Sequence, residues 1–311
     1  MKLSIGPVLF DWGKNGFRDF YKKMAYESSA DIIYIGEVVC SKRFNLEVDE
    51  TLALAEELKG SGKELVISTL GLIMNEPEQE TMRQLIQGAK ALGLRYEAND
   101  MAAFSAGEGQ PSVAGPHITT YNPETADFLA SVGVDRIAMP VELSLETISM
   151  VKRKSQSKAK VEYEMFAYGK IPLTFSARCY TSRAFNLPKV NCQYKCGDYP
   201  DGMVMRTQEG KPFLTINGIQ TMSDKLFNVV DQLPAMAEQG VDIARLSPQS
   251  KNMVEVVQVW RDAADGKLSG EEAKAKLVEL NNGQQFCNGY FHGRAGLDFI
   301  DTAMIQAEQQ G

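Results

Sequence analysis

The sequence predicts a single α/β barrel of the TIM type, (β/α)8. Eight short runs rich in strand-forming residues recur along the chain, amphipathic stretches lie between them, and glycines fall where a helix must end before the next strand. Eight strands alternating with helices close most simply into a parallel barrel, and 311 residues suffice for one such domain carrying an addition.

In chain order the expected strands are residues 2–5, 32–35, 64–68, 95–97, 117–120, 136–139, 161–166 and 242–246. Their apolar, often β-branched runs suit strands covered on both faces. Helices are expected over 16–27, 50–59, 76–92, 123–132, 144–153 and 224–238. Asn122 before Pro123 offers a cap and a first-turn proline, and Ser144 stands in front of an apolar repeat. Gly93, Gly133 and Gly240 each follow a helical stretch and precede a strand, where a left-handed terminus needs glycine.

The rhythm breaks once. About 75 residues separate the seventh strand from the eighth, more than a simple connection uses. Within this stretch, 203–206 and 212–216 flank Gln208-Glu209-Gly210-Lys211 and predict a β-hairpin above the barrel. The insertion is expected over about 170–222 of a single domain spanning 1–311. After the eighth strand, 253–264 and 269–280 read as helices, and a glycine-rich tail covers 283–296.

A hydrophobic content of 44%, a charged content of 23% and a mean hydropathy of -0.24 describe an ordinary globular chain. The net charge of -7 lacks the basic footprint that draws a protein to nucleic acid. No apolar run is long enough to span a membrane and no signal-like stretch follows Met1, so the expected location is the cytoplasm, without a transmembrane segment. In that reducing compartment, clustered cysteines indicate metal binding or catalysis rather than disulfides.

Three of the five cysteines fall in the long insertion. Twelve residues separate Cys179 from Cys192 and three separate Cys192 from Cys196. Cys40 is remote in sequence but follows the expected second strand, in IIYIGEVVC. In a parallel barrel, the exits of strands two and seven open on the same carboxyl-terminal face, where such barrels carry their functional loops. Four thiolates match a four-iron four-sulfur cluster, in which each iron takes one protein ligand. Structural zinc also takes four thiolates, though usually from paired C-x2-C knuckles that this chain lacks, and scattered buried thiols are a third reading. Cys287, in FCNGYFHG, reads as a buried free thiol.

Glu164-Met165-Phe166-Ala167-Tyr168-Gly169, followed by Ser176-Ala177-Arg178-Cys179, resembles the signature of the collagenase-like peptidase superfamily, with Tyr168 where histidine is usual. Over essentially the whole chain, the resemblance is to the branch that serves oxygen-independent ubiquinone biosynthesis. The cysteine gaps of that branch match those here, as do the segments Val141-Glu142-Leu143-Ser144-Leu145 and Cys287-Asn288-Gly289-Tyr290. The resemblance implies a 4Fe-4S cluster held by Cys40, Cys179, Cys192 and Cys196. It also implies a heterodimer with a homologous partner, UbiU, a lipid-binding accessory protein, UbiT, and hydroxylation of a quinone precursor with prephenate as the hydroxyl donor. A peptidase-like hydrolase of the same superfamily and a non-catalytic scaffold with a structural cluster are the alternatives.

Other candidates are few. Glu162 and Glu164 are two apart on one strand, so both face the barrel lumen, where they pair with an arginine such as Arg178 or Arg183 or act as acid and base. Glu37, Glu164 and Tyr168 are the catalytic candidates. His117 and His292 accompany no nucleophile motif, and neither GxxxxGK[ST] nor a strand-borne GxGxxG occurs.

The ligand set is open to a direct test. Anaerobic iron analysis of the five single alanine variants should show iron lost from the Cys40, Cys179, Cys192 and Cys196 variants and retained in Cys287→Ala. Full iron in Cys40→Ala, or none in Cys287→Ala, would refute the assignment.

Overall fold

The strand-forming runs pair in the order in which they occur. The computed structural model describes residues 1–43 and 46–301. In it, β1 (Lys2–Ile5), β2 (Ile32–Ile35), β3 (Glu64–Ser68), β4 (Arg95–Ala98), β5 (Ser112–Ala114), β6 (Val134–Ala138) and β7 (Glu162–Phe175) lie parallel, each beside the next. Beyond the inserted strands β8 (Met203–Arg206), β9 (Pro212–Asn217) and β10 (Gln220–Asn228), β11 (Ile243–Leu246) pairs in parallel with both β7 and β1. That pairing closes an eight-stranded barrel of the TIM type.

Helices cover the outside: α1 (Gly13–Glu27), α2 (Val48–Leu58), α3 (Glu76–Ala91), α4 (Ala102–Ala106), α5 (Pro123–Ser131) and α6 (Leu145–Lys154) fill the first six connections. Their starts use the caps the sequence offers. Asn75, Asn122 and Ser144 accept the backbone N–H groups of Glu78, Thr125 and Thr147. α7 (Tyr180–Ala184) belongs to the insertion, α8 (Leu233–Glu238) precedes β11, and α9 (Met253–Ala264) and α10 (Gly270–Leu280) complete the outer layer. The main core runs between strands and helices, from Leu3, Phe17 and Tyr21 round to the fully buried Trp260 of α9.

Two of the expected elements fail. Residues 117–120 are not the fifth strand; β5 lies at Ser112–Ala114, and Pro116, which has no N–H to offer, follows the end of the ladder. The small residues of β5 hid it. Residues 224–238 are not one helix: the first part continues β10, antiparallel to β7 and parallel to Phe286–Cys287, a 3-10 turn covers Val230–Gln232, and the α-helix is confined to Leu233–Glu238. Here strand pairing overrides the helical spacing of the apolar residues. The insertion also begins within a continuous strand rather than at its end. β7 is 14 residues long and runs past the barrel rim to pair with β10, and the expected hairpin is β8 with β9.

The lumen holds an apolar layer of Ile32, Tyr34, Val66, Val113 and Ile243 together with buried charge. Arg136 donates to Glu162 at 2.7 Å and to Glu64 at 3.0 Å, and Lys2 also reaches Glu162. Arg245 lies 2.6 Å from Glu97 and 3.6 Å from Glu164, its guanidinium 4.3 Å from the centre of the Tyr34 ring. Ser4 and Tyr34 donate to Glu164 as well. Glu162 and Glu164 therefore do face the lumen, but their arginines are Arg136 and Arg245. Arg178 and Arg183 are exposed on the insertion.

Gly36 ends β2 and sets the course of the chain toward Cys40. Its φ is +151°, and a Cβ there would lie 2.3 Å from the Ser68 carbonyl oxygen. Strained backbone and overpacking each cost about 1–3 kcal/mol, so Gly36→Ala should lower the midpoint of denaturant unfolding clearly. An unchanged midpoint would contradict this close approach.

Candidate metal centre

After Gly36 the chain runs through Glu37 to Cys40, and the Glu37 carboxylate turns back on it. Its Oε1 accepts the N–H groups of Val39 at 2.8 Å and Cys40 at 3.1 Å. This ties the loop into a fixed shape, so Glu37 acts on the position of Cys40. The carboxylate also faces Arg43 at 3.6 Å.

Arg43 is buried and joins three loops. It donates to the Leu9 carbonyl at 2.6 Å and to Asn217 Oδ1 at 2.5 Å, so the segments after β1 and β2 are fastened to the end of β9. Asn217 completes the tie by donating to the same Leu9 carbonyl.

The insertion supplies the other sulfurs. β7 delivers the chain to Cys179, whose Sγ accepts the Ser182 N–H at 3.4 Å at the start of α7. Backbone bonds from Ser176 to Ile219 and from Tyr180 to Gly218 pin this turn against the β9–β10 turn. Cys192 and Cys196 follow in short turns. Between them, Gln193 and Tyr194 adopt φ values of +51° and +49°. Two successive non-glycine residues in the left-handed region cost about 1–3 kcal/mol each and persist where their surroundings demand the shape.

Cys40, Cys179, Cys192 and Cys196 line one small cavity, together with Lys42, Arg43, Lys195 and Tyr194. All four are free thiols, part-exposed, and an apolar layer of Leu9, Phe10, Val38, Val39, Ile219 and Met222 packs against Cys40 and Cys179. Among the described residues no three His, Cys, Asp or Glu side chains are grouped to hold a single ion. Burial pushes the Cys40 thiol up. It also drives Cys196 up to about 12, opposed by Arg43 and reinforced by Asp11, whose Oδ2 accepts the Sγ–H at 3.3 Å. Thiols held protonated in this way lose their protons on binding metal, and nearby cations then offset the negative charge of thiolates. Four sulfur donors around one cavity, with cations and N–H groups at its wall, are what a cubane cluster asks of a protein.

The remaining candidates lie elsewhere. Cys287 forms β12 (Phe286–Cys287) beside β10 and is buried in the main core, where burial pushes its thiol up to about 12. Tyr168 is fully buried on the outside of the barrel, donating to Asn281 at 2.9 Å with its ring edge-on to Trp260, and burial pushes its phenol well up. Its catalytic candidacy does not fit that position. Glu164 is enclosed in the lumen by Ser4, Tyr34 and Arg245, away from the cysteine cavity. His117 packs against Phe175 with ring centroids 4.6 Å apart, and burial lowers its pKa to about 4. His292 packs beside Phe291 with Nε2 buried.

Sequence reasoning overlooked Asp11, Arg43 and a groove of about 750 Å³ that opens beside Cys196, lined by Trp12, Phe20 and Tyr194 among others. The run Asp11-Trp12-Gly13, placed just after a barrel strand, was the available signal.

The chain is similar to several known proteins. It is 25% identical over 308 residues to tRNA hydroxylation protein P1 of Bacillus subtilis (strain 168), covering 89% of this chain and 69% of that one. Among solved structures, DHDPS from Cyanidioschyzon merolae superposes with a TM-score of 0.45 at 11% identity, covering 99% of this chain and 96% of the other. The tryptophan synthase complex from Pyrococcus furiosus gives 0.44 at 12% identity, covering 90% and 97%. The sequence pattern of Peptidase family U32 matches residues 21–300, nearly the whole described barrel, and the protein belongs to that family.

Proposed function

We propose that the chain is a UbiV-type subunit. It carries a 4Fe-4S cluster on Cys40, Cys179, Cys192 and Cys196 and serves the oxygen-independent hydroxylation of the quinone ring in ubiquinone biosynthesis. Its partner is a homologous UbiU-type chain, UbiT supplies lipid binding, and prephenate is the hydroxyl donor. One observation carries the reading: a cysteine from the loop after β2 lines the same cavity as three from the insertion after β7. Barrel stability alone does not call for four thiols in one place. The hydroxylation named for the Bacillus subtilis relative supports the reaction class.

A bound cluster supplies one-electron chemistry. The chain's own residues hold and shelter it. Glu37 fixes the Cys40 backbone, Arg43 and Lys42 put positive charge at the cavity wall, and the Ser182 N–H points at the Cys179 sulfur. Hydrogen bonds to sulfur and burial are the levers that tune such a centre.

A second reading takes RNA as the substrate, favoured by the name of that relative. The net charge of -7 weighs against it, because polyanion binding needs a basic face. A peptidase reading rests on the family name. Tyr168 in the core and His117 against Phe175 give it no nucleophile and base.

The test is made without oxygen in cells lacking their own copy of this chain but supplied with its partner. Adding the intact chain should restore hydroxylated quinone, and each of the four cysteine variants should fail to do so. Restored tRNA hydroxylation with unchanged quinone would overturn the quinone assignment in favour of the RNA reading.

A further inference from the structure

Beside Cys196 lies the groove lined by Trp12, Phe20 and Tyr194. It opens on the cysteine face of the barrel and has a volume of about 750 Å³, within the range of small-molecule sites. Its aromatic wall is fixed in advance. The Trp12 indole donates Nε1–H to the Pro200 carbonyl at 2.7 Å, meets Phe20 edge-on at 5.1 Å and has Phe10 behind it at 6.3 Å, nearly parallel. A ring so held loses little freedom when a second ring stacks on it.

Two links join the groove to the cysteine cavity. Tyr194 lines both, and Asp11 borders the groove while its Oδ2 accepts a hydrogen bond from the Cys196 thiol. The groove's charged residues are Asp11, Asp19 and Lys23, so its wall carries no net positive charge. That composition disfavours a polyanion and suits a neutral ring.

We infer that this groove binds the ring of a small, uncharged phenol against Trp12, beside the cavity of the four cysteines. The inference rests on the cluster reading for the purpose of the ring but not for its binding. A phenol presents a flat apolar face for the indole and one hydroxyl for the polar groups of the wall. Cyclohexanol presents the same hydroxyl without the π-face.

The test is calorimetric titration of the anaerobically purified chain with phenol, with cyclohexanol and with an oligouridylate, iron being measured on the same sample. Phenol should bind saturably and displaceably, and cyclohexanol should bind more weakly. Trp12→Phe should keep phenol affinity, whereas Trp12→Leu, which keeps bulk but not the ring, should weaken it about threefold to tenfold. Equal binding by the Phe and Leu variants, equal binding of phenol and cyclohexanol, or displacement of phenol by the oligouridylate would overturn the inference. Iron-replete protein that ignores phenol defeats the groove assignment and leaves the cluster reading standing. Iron-free protein that binds phenol as described supports the groove and counts against the cluster.

Discussion

Beneath the cysteines lies one buried guanidinium on which the geometry of that face depends. Arg43 reaches the Leu9 carbonyl, Asn217 and the Glu37 carboxylate, which belong to the segments after β1, at the end of β9 and after β2. A site that draws one cysteine from the loop after β2 and three from the insertion after β7 needs those loops in register to within about half an ångström. A buried arginine with anionic and carbonyl partners on three sides provides that. Removing one partner of a buried ion pair typically costs about 3–5 kcal/mol, so the arrangement is both tight and sensitive.

The barrel below is a rigid support of a different kind. Its lumen alternates apolar and charged layers, with Arg136 shared between Glu64 of β3 and Glu162 of β7 and Arg245 between Glu97 of β4 and Glu164 of β7, so each ties strands together across the lumen. Such layers constrain strand register, because a one-residue slip would face these charges toward the outer core. β7 then carries this order past the rim into the insertion. Its continuous 14 residues pair with β11 inside the barrel and with β10 above it, so the turn that presents Cys179 is attached to the most constrained strand of the fold.

Much of this was legible in the residues because it rests on local chemistry. β1, β2 and β3 follow from apolar runs bounded by turn residues, and α5 and α6 from Asn122-Pro123 and Ser144. β5 was not legible, since Ser112-Val113-Ala114 is short and weakly apolar and acquires its state from strands on both sides. Nor was the end of β10, whose apolar spacing suits a helix until β7 and β12 pair with it. The cysteines could be singled out by spacing and by the strands they follow. The partners of Glu162 and Glu164 could not, because Arg136 and Arg245 meet them only once the barrel closes. Arg43 was hidden for the same reason: its partners lie 34 and 174 residues away.

The central claim is that four cysteines from two barrel loops hold one iron-sulfur cluster. Its most direct test is the iron, sulfide and zinc content of the intact chain, purified without oxygen. About four iron and four acid-labile sulfide per chain are expected. Stoichiometric zinc with no sulfide, or a chain free of metal with all five thiols titratable, would contradict it.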